Sequence, residues 1–416
     1  MKSAWKKNKN LKPQVVLDKI QAVAAVLPDG RVSYTGFESF FVMSALTNMV
    51  LLPTELSEPT KEAIVRTAVK NGLLRNKLNS EWVSAEIIKL SSAELSKPLR
   101  NWKFLTTLSI RGFDRAKIYK VGNESIRVLP SGFPAKYSSR EDELQRLLRG
   151  TDPTPKNYVH AIVDVKSKSG RDVEQKATEA IDLLRSVWNF FCNPGYSIGS
   201  NEHRPINAVL AGKYQSVHSQ SGAYFNRGTY YFNPRFFLKK AFDSNTRPEF
   251  AANTDRWILR ELFALPYGKT VRKALLQYCR AFDEADPHTT LVRLWSALET
   301  LALEKDESHA LIPKRCAFIW QESEYHKQIL EHLRVARNSN VHEGFESSDA
   351  KTHCFQLNTY FRELLLFHLH SRGSFASFSE INEFLSLPKD RESLTGRKAI
   401  LDRALNFISP GDVPKT

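Results

Sequence analysis

The spacing of apolar positions changes period twice along the chain. From residue 14 to about 100 it is helical. The clearest segment is SEPTKEAIVRTAVKNGLL (57–74), with Ser57 as N-cap, Pro59 in the first turn and Gly72 near the stop. From about 101 the period shortens to two. KFLTTLSIRGF (103–113) and AKIYKVGNESIRVL (116–129) alternate as strands do, with Gly122 and Asn123 as a turn signal. The stretch 136–157 is polar and ends in a proline-punctuated loop. NYVHAIVDVKSKSG (157–170) then sets Val159, Ala161, Val163 and Val165 on one strand face. The next segment predicts a helix with Val173, Ala177, Ile181, Leu184 and Trp188 on one stripe, ended by Asn193-Pro194-Gly195.

After DSNTRPEFAANT (243–254) the period is helical again. Five segments, at 269–285, 289–304, 309–320, 324–342 and 350–370, each carry an apolar stripe. Short connections make antiparallel neighbours of them, hence a helical bundle. Two weaker helical patterns follow, around FSEINEFLSL (378–387) and RKAILDRALNFI (397–408). The expected fold class is α+β, a mixed α/β N-terminal region followed by an all-α helical bundle. The expected divisions are a mainly helical region 1–100, a basic α/β region 101–250, the bundle 255–375 and a helical tail 376–416.

With 416 residues, the chain suits two or three domains better than one core. The formal charge of +15 is unevenly placed. Residues 1–250 hold 38 Lys and Arg against 23 Asp and Glu, whereas 251–416 hold 22 of each. The first part would therefore attract a polyanion through counterion release, unless it is simply a solvated basic surface. The longest apolar run, FFVMSALTNMVLL (40–52), is too short and too polar to span a bilayer. Asp18 and Lys19 interrupt the segment after the basic N-terminus, which reads as a surface helix and not as an export signal. Four widely spaced cysteines, with no zinc-ligand pattern, suit reduced thiols of a cytoplasmic protein that does not enter a membrane. In SGAYFNRGTYYFNPRFFLKKAF (221–242), Arg227, Arg235, Lys239 and Lys240 lie among aromatics. Such a mixture can clamp single-stranded RNA, but alternating aromatics beside a turn more readily fill a sheet's core. A DNA-reading helical module in 55–100 lacks any mark of a recognition helix.

One stretch breaks its own pattern. In HLRVARNSNVHEGF (332–345), Ile329, Leu333, Arg337 and Val341 share a helix face, so an arginine stands on an apolar stripe. Buried guanidinium must be paired, at an edge, or facing a groove. Glu299, beside Leu298 on the second bundle helix, is the natural partner. The structural reading is thus an Arg337–Glu299 salt bridge, with His342 at a helix end near Gly344. The remaining histidines, among them His326, His332, His353, His368 and His370, stand at packing or surface positions. No phosphate-cradling glycine loop, G-x-S-x-G or cluster of carboxylates occurs.

RNSNVH (337–342) follows LVRLWSALETLAL, IPKRCAFI and YHKQILEHLRVARN in that order. Across about 269–370 this resembles the HEPN ribonuclease domains, in particular the ApeA-like HEPN group of prokaryotic defence proteins. The resemblance rests on Arg337, Asn338 and His342, supported by Glu299 and Arg315. It implies metal-independent RNA cleavage with no cofactor. The ribose 2′-hydroxyl is the nucleophile, and His342, with an ordinary imidazole pKa near 6.5, takes its proton. Arg337 stabilises charge on the phosphate, Asn338 orients it, Glu299 holds Arg337, and Arg315 is a weaker candidate for RNA contact. It further implies an antiviral effector answering a phage-derived or protein trigger, or a non-catalytic HEPN dimer binding nucleic acid or nucleotides. Five residues on a regular helix are about 140° apart. Either the helix ends before His342, or two chains share the site as a homodimer with a composite active site.

Overall fold

The structure is a computed structural model. It describes residues 4–36, 38–148, 155, 157–196, 204–225, 231–343 and 349–408, with side chains of 38–40 and 340–343 excluded. The helical period of the first hundred residues folds as α1 (Pro13–Val23), a hairpin of β1 (Ala24–Val26) and β2 (Val32–Tyr34), α2 (Glu38–Met49), α3 (Glu58–Leu74) and α4 (Ser80–Leu95). Ser57 caps α3 through the Thr60 N–H. Leu17, Ile20, Leu46, Val65, Val69 and Ile87 close a core of their own. Ser57 and Thr60 also donate to Asp172, which ties this module to the helix beyond the sheet.

The alternating stretches form β3 (Arg100–Leu108), β4 (Ile110–Arg111), β5 (Lys117–Val121), β6 (Glu124–Leu129), β7 (Val159–Ser167), β8 (Tyr214–Ser219), β9 (Tyr231–Phe232) and β10 (Phe242–Asp243). Six of them make an antiparallel sheet in the order β5-β6-β7-β3-β8-β9. Gly122, at φ +61°, supplies the turn between β5 and β6. Strand alternation decides the two faces. Phe104, Val163 and Ile126 lie in register and enter the main core, while Leu105 and Ile162 pack with Tyr137 on the other side. The polar stretch after β6 holds a helix, α5 (Ser139–Leu148). Its burial of Arg140 and Leu144, one turn apart, is too small a signal to stand out in so charged a segment.

The long α6 (Arg171–Cys192) covers the sheet and is buried on every side from Ala180 to Cys192. Its outer side meets α7 (Pro248–Ala251), α8 (Thr254–Ala264) and α9 (Gly268–Phe282). The bundle continues with α10 (Pro287–Ala302), α11 (Leu311–Phe318), α12 (Ser323–Glu343), α13 (Ala350–His370), α14 (Phe378–Leu385) and α15 (Arg391–Ile408). Fold class is thus α+β. A single apolar cluster runs from Trp102 to Leu385, so sheet and bundle share a core across residue 250, with Trp188, Tyr278, Trp295 and Phe361 among its largest members. The sharing follows from α6, whose apolar stripe widens to its full circumference. α10 packs between α9 and α13, and Tyr278 of α9 stacks on Phe361 of α13 at 4.6 Å. Among the described residues no helix is long and apolar enough to cross a membrane.

Where α6 meets α9, a buried network replaces apolar contact. Arg185 holds Asp283 through two bonds of 3.0 and 2.9 Å, Asp182 at 2.6 Å and the Val209 carbonyl at 3.1 Å. Asn207 donates to Asp283 at 2.7 Å, and Arg280 reaches Asp182 at 3.0 Å. Two carboxylates on one guanidinium, each with a further donor, satisfy the condition under which a buried charge is tolerated.

Candidate functional site

α12 lies at the rim of the bundle, against α11 and α10. Of its described residues only Leu330 and Leu333 are fully buried. Arg337 stands one turn beyond Leu333, where that apolar contact runs out. Its side chain is 22% exposed, and Nη2 is 3.9 Å from Glu299 Oε1, whose side chain is 18% exposed. Nη1 donates to Asn338 Oδ1 at 3.1 Å, and Nε is buried with no partner among the described residues. A 3.9 Å approach is an ion pair at its outer limit and no hydrogen bond. The guanidinium is therefore half-buried and positively charged, and among the described residues it has one neutral oxygen at bonding distance.

Glu299 is committed elsewhere. Its Oε1 accepts from His309 Nδ1 at 2.9 Å. His309 sits in the loop between α10 and α11, a loop fixed from within. Glu307 takes Arg315 through bonds of 2.6 and 2.7 Å and also receives the Glu304 N–H at 2.7 Å. The Arg315 guanidinium holds the Glu307 carboxyl below its usual range. His309 was not legible as a site residue. Nothing periodic marks it, and its place beside Glu299 depends on a loop held by an arginine on the following helix. Glu299, Thr300 and His309 line an open cleft of about 730 Å³, together with Thr270 and Lys273 of α9 and Phe378 of α14.

The structure thus gathers Arg337, Asn338 and Glu299. It does not gather the other expected RNA contacts. Arg315 is buried, and besides Glu307 its donors go to the Ala302 carbonyl and Ser386 Oγ, so it closes the loop. Arg235 is paired with Glu284 at 3.1 Å. Lys239 Nζ turns inward to the Asn207 carbonyl at 2.7 Å, and burial pulls its pKa down to about 8. Lys240 is exposed, beside a small pocket of about 260 Å³ that Arg111 also lines. The aromatics around these cations are only partly core. Tyr231 packs on the main cluster, whereas Phe232 is half exposed at the sheet edge. Arg227, Gly344 and the His342 side chain lie outside the described residues.

The backbone of α12 does settle one alternative. The helix is continuous through Glu343, so it does not end before residue 342. Positions 337 and 342 consequently stand on faces about 140° apart.

The other histidines have structural surroundings. His368 is fully buried with Nε2 on the Leu301 carbonyl, and burial lowers its pKa to about 4. His326 stacks on Trp320 and meets the Tyr360 hydroxyl. His332 and His353 face each other at 3.3 Å, and burial, with the neighbouring His332, lowers the pKa of His353. All four cysteines are free and buried; burial pushes their thiols up, Cys192 to about 12, which removes them as nucleophiles. Among the described residues no three His, Cys, Asp or Glu side chains converge in a manner that could hold a metal ion. No family model matches the chain, and no curated protein or solved structure is detectably similar to it.

Proposed function

We propose that the chain is a metal-independent endoribonuclease of HEPN type, acting in the cytoplasm as an antiviral effector, whose site joins Arg337, Asn338 and Glu299 to His342. One observation carries the reading: a half-buried guanidinium at the rim of a helical bundle whose nearest carboxylate among the described residues stands at 3.9 Å. A charge so placed and so lightly paired suits an anion that arrives from outside, here the scissile phosphodiester. RNA supplies its own nucleophile, the ribose 2′-hydroxyl. Arg337 stabilises the charge that gathers on the phosphate as the O2′–P bond forms, and the His342 imidazole takes the 2′ proton. The products are a 2′,3′-cyclic phosphate and a 5′-hydroxyl end.

The continuity of α12 favours a site shared by two chains. With residues 337 and 342 on different faces, the imidazole that meets a given Arg337 comes from a second copy across a two-fold axis. The excess positive charge of residues 1–250 would hold the RNA and sense a trigger. The test is RNA cleavage in EDTA by the wild type, Arg337→Ala and His342→Ala. The wild type cuts and both variants fail while keeping the wild-type melting temperature. If both variants cut at the wild-type rate, these residues are not the site. A shift of RNA in a gel without shortening marks a binding protein instead.

A further inference from the structure

We infer that His309 is a second catalytic imidazole, the acid that protonates the 5′-oxygen leaving group; this deepens the ribonuclease reading and rests on it. Transesterification needs two proton transfers. The O2′–P bond forms as the P–O5′ bond breaks, the 2′ proton goes to a base, and O5′ leaves as an alcohol only if a proton reaches it. One imidazole can serve as base. A second group is required to supply the other proton in the same step, and His309 is placed to do so.

Three features of the site argue for this. The first is position: His309 Nδ1 and Arg337 Nη2 approach the same carboxylate oxygen of Glu299, at 2.9 and 3.9 Å, so imidazole and guanidinium flank one atom. The two nitrogens are therefore at most about 7 Å apart, a span that one phosphodiester bound on Arg337 would bridge. The second is the tautomer. A carboxylate accepts and does not donate, so Nδ1 carries the hydrogen and Nε2 is left to exchange the working proton. The third is rigidity with access. Arg315 and Glu307 pin the loop from below, while the His309 side chain remains 66% exposed at the mouth of the cleft of about 730 Å³. In the balanced step the 2′ proton passes to His342, the proton on His309 Nε2 passes to O5′, and water later exchanges the two.

The experiment uses the full chain and a DNA oligonucleotide containing a single ribonucleotide, in two forms. One has the ordinary 5′-oxygen at the scissile bond and the other a 5′-bridging sulfur, which leaves without protonation. His309→Gln keeps a donor to Glu299 but transfers no proton. The expected result is about a 100-fold loss on the oxygen form, with loss of the alkaline limb of the pH–rate profile, and a near-wild-type rate on the sulfur form. His342→Ala slows both forms. Equal slowing of both forms by His309→Gln, or no slowing of either, overturns the assignment while leaving the ribonuclease reading intact. A wild type that cleaves neither form nor cellular RNA overturns both.

Discussion

Two arginines on the same fold show opposite ways of placing a charge. Arg185, at the junction of α6 and α9, is 3% exposed, and its terminal nitrogens hold two carboxylates and a carbonyl at 2.6 to 3.1 Å. Arg337, at the rim of α12, is 22% exposed, and its terminal nitrogens have Asn338 at 3.1 Å and Glu299 at 3.9 Å. In both, Nε lacks a partner among the described residues, so the difference in hydrogen bonding lies in the fork. A saturated fork welds elements together and has nothing left for a ligand. A fork with few partners among the described residues, as at Arg337, is one that the proposed ribonuclease site would fill with a phosphate. The two arginines thus differ both in burial and in the occupancy of their terminal nitrogens.

That contrast can be broken experimentally. The largest effect is expected at the centre: Arg185→Met leaves Asp182 and Asp283 buried with their main cation gone. It should cost about 3–5 kcal/mol, read as loss of the cooperative melting transition or a large drop in its midpoint. Arg337→Ala should reverse the balance, lowering cleavage by about 100- to 1000-fold with a stability change under about 1 kcal/mol in urea titration. A stability loss as large as that of Arg185→Met would make Arg337 a structural arginine like the other.

Acidification sharpens the comparison from the structural side. The folded pKa of His368, about 4, lies below its usual 6.5, so the unfolded chain binds more protons between those values. Stability contributed by the neutral ring is fully present above about pH 6.5 and falls as the pH drops toward 4, by about 3 kcal/mol. His353 and His218, also lowered by burial, act in the same direction. His368→Gln should flatten that slope in a melting-temperature series from pH 7 to 4. The smallest effect is expected at Glu299→Gln, which keeps an acceptor for His309 but removes the charge beside Arg337. Cleavage should fall about tenfold with little change in melting temperature, since an exposed-edge pair contributes under about 1 kcal/mol.

Much of this was legible in the sequence where burial is one-sided. Val159, Ala161, Val163 and Val165 alternate because one face of β7 meets the core, and the same period separates Leu105 and Ile162 onto the other face. Helix periodicity places Arg337 on an apolar stripe and makes Glu299 its candidate partner, and the two stand 3.9 Å apart. Tertiary placement was not legible. By sequence Arg315 is a candidate RNA contact, and only the loop that brings Glu307 onto it shows that it is occupied. His309 has no periodic context, and its place beside Glu299 arises from that same closed loop. The stripe of α15 predicts a helix correctly, yet none of its described residues is buried, because a period records what a segment can bury and not whether anything covers it.

The central claim is that Arg337 of one chain and His342 of another act on one phosphodiester. Mixing folded Arg337→Ala chains with folded His342→Ala chains tests it most directly, because every mixed dimer regains one complete site of its two. Each variant alone should leave RNA uncut in EDTA, while the mixture should cut it and leave 2′,3′-cyclic phosphate ends. A mixture as silent as its components, beside a wild type that cuts, would contradict the shared site.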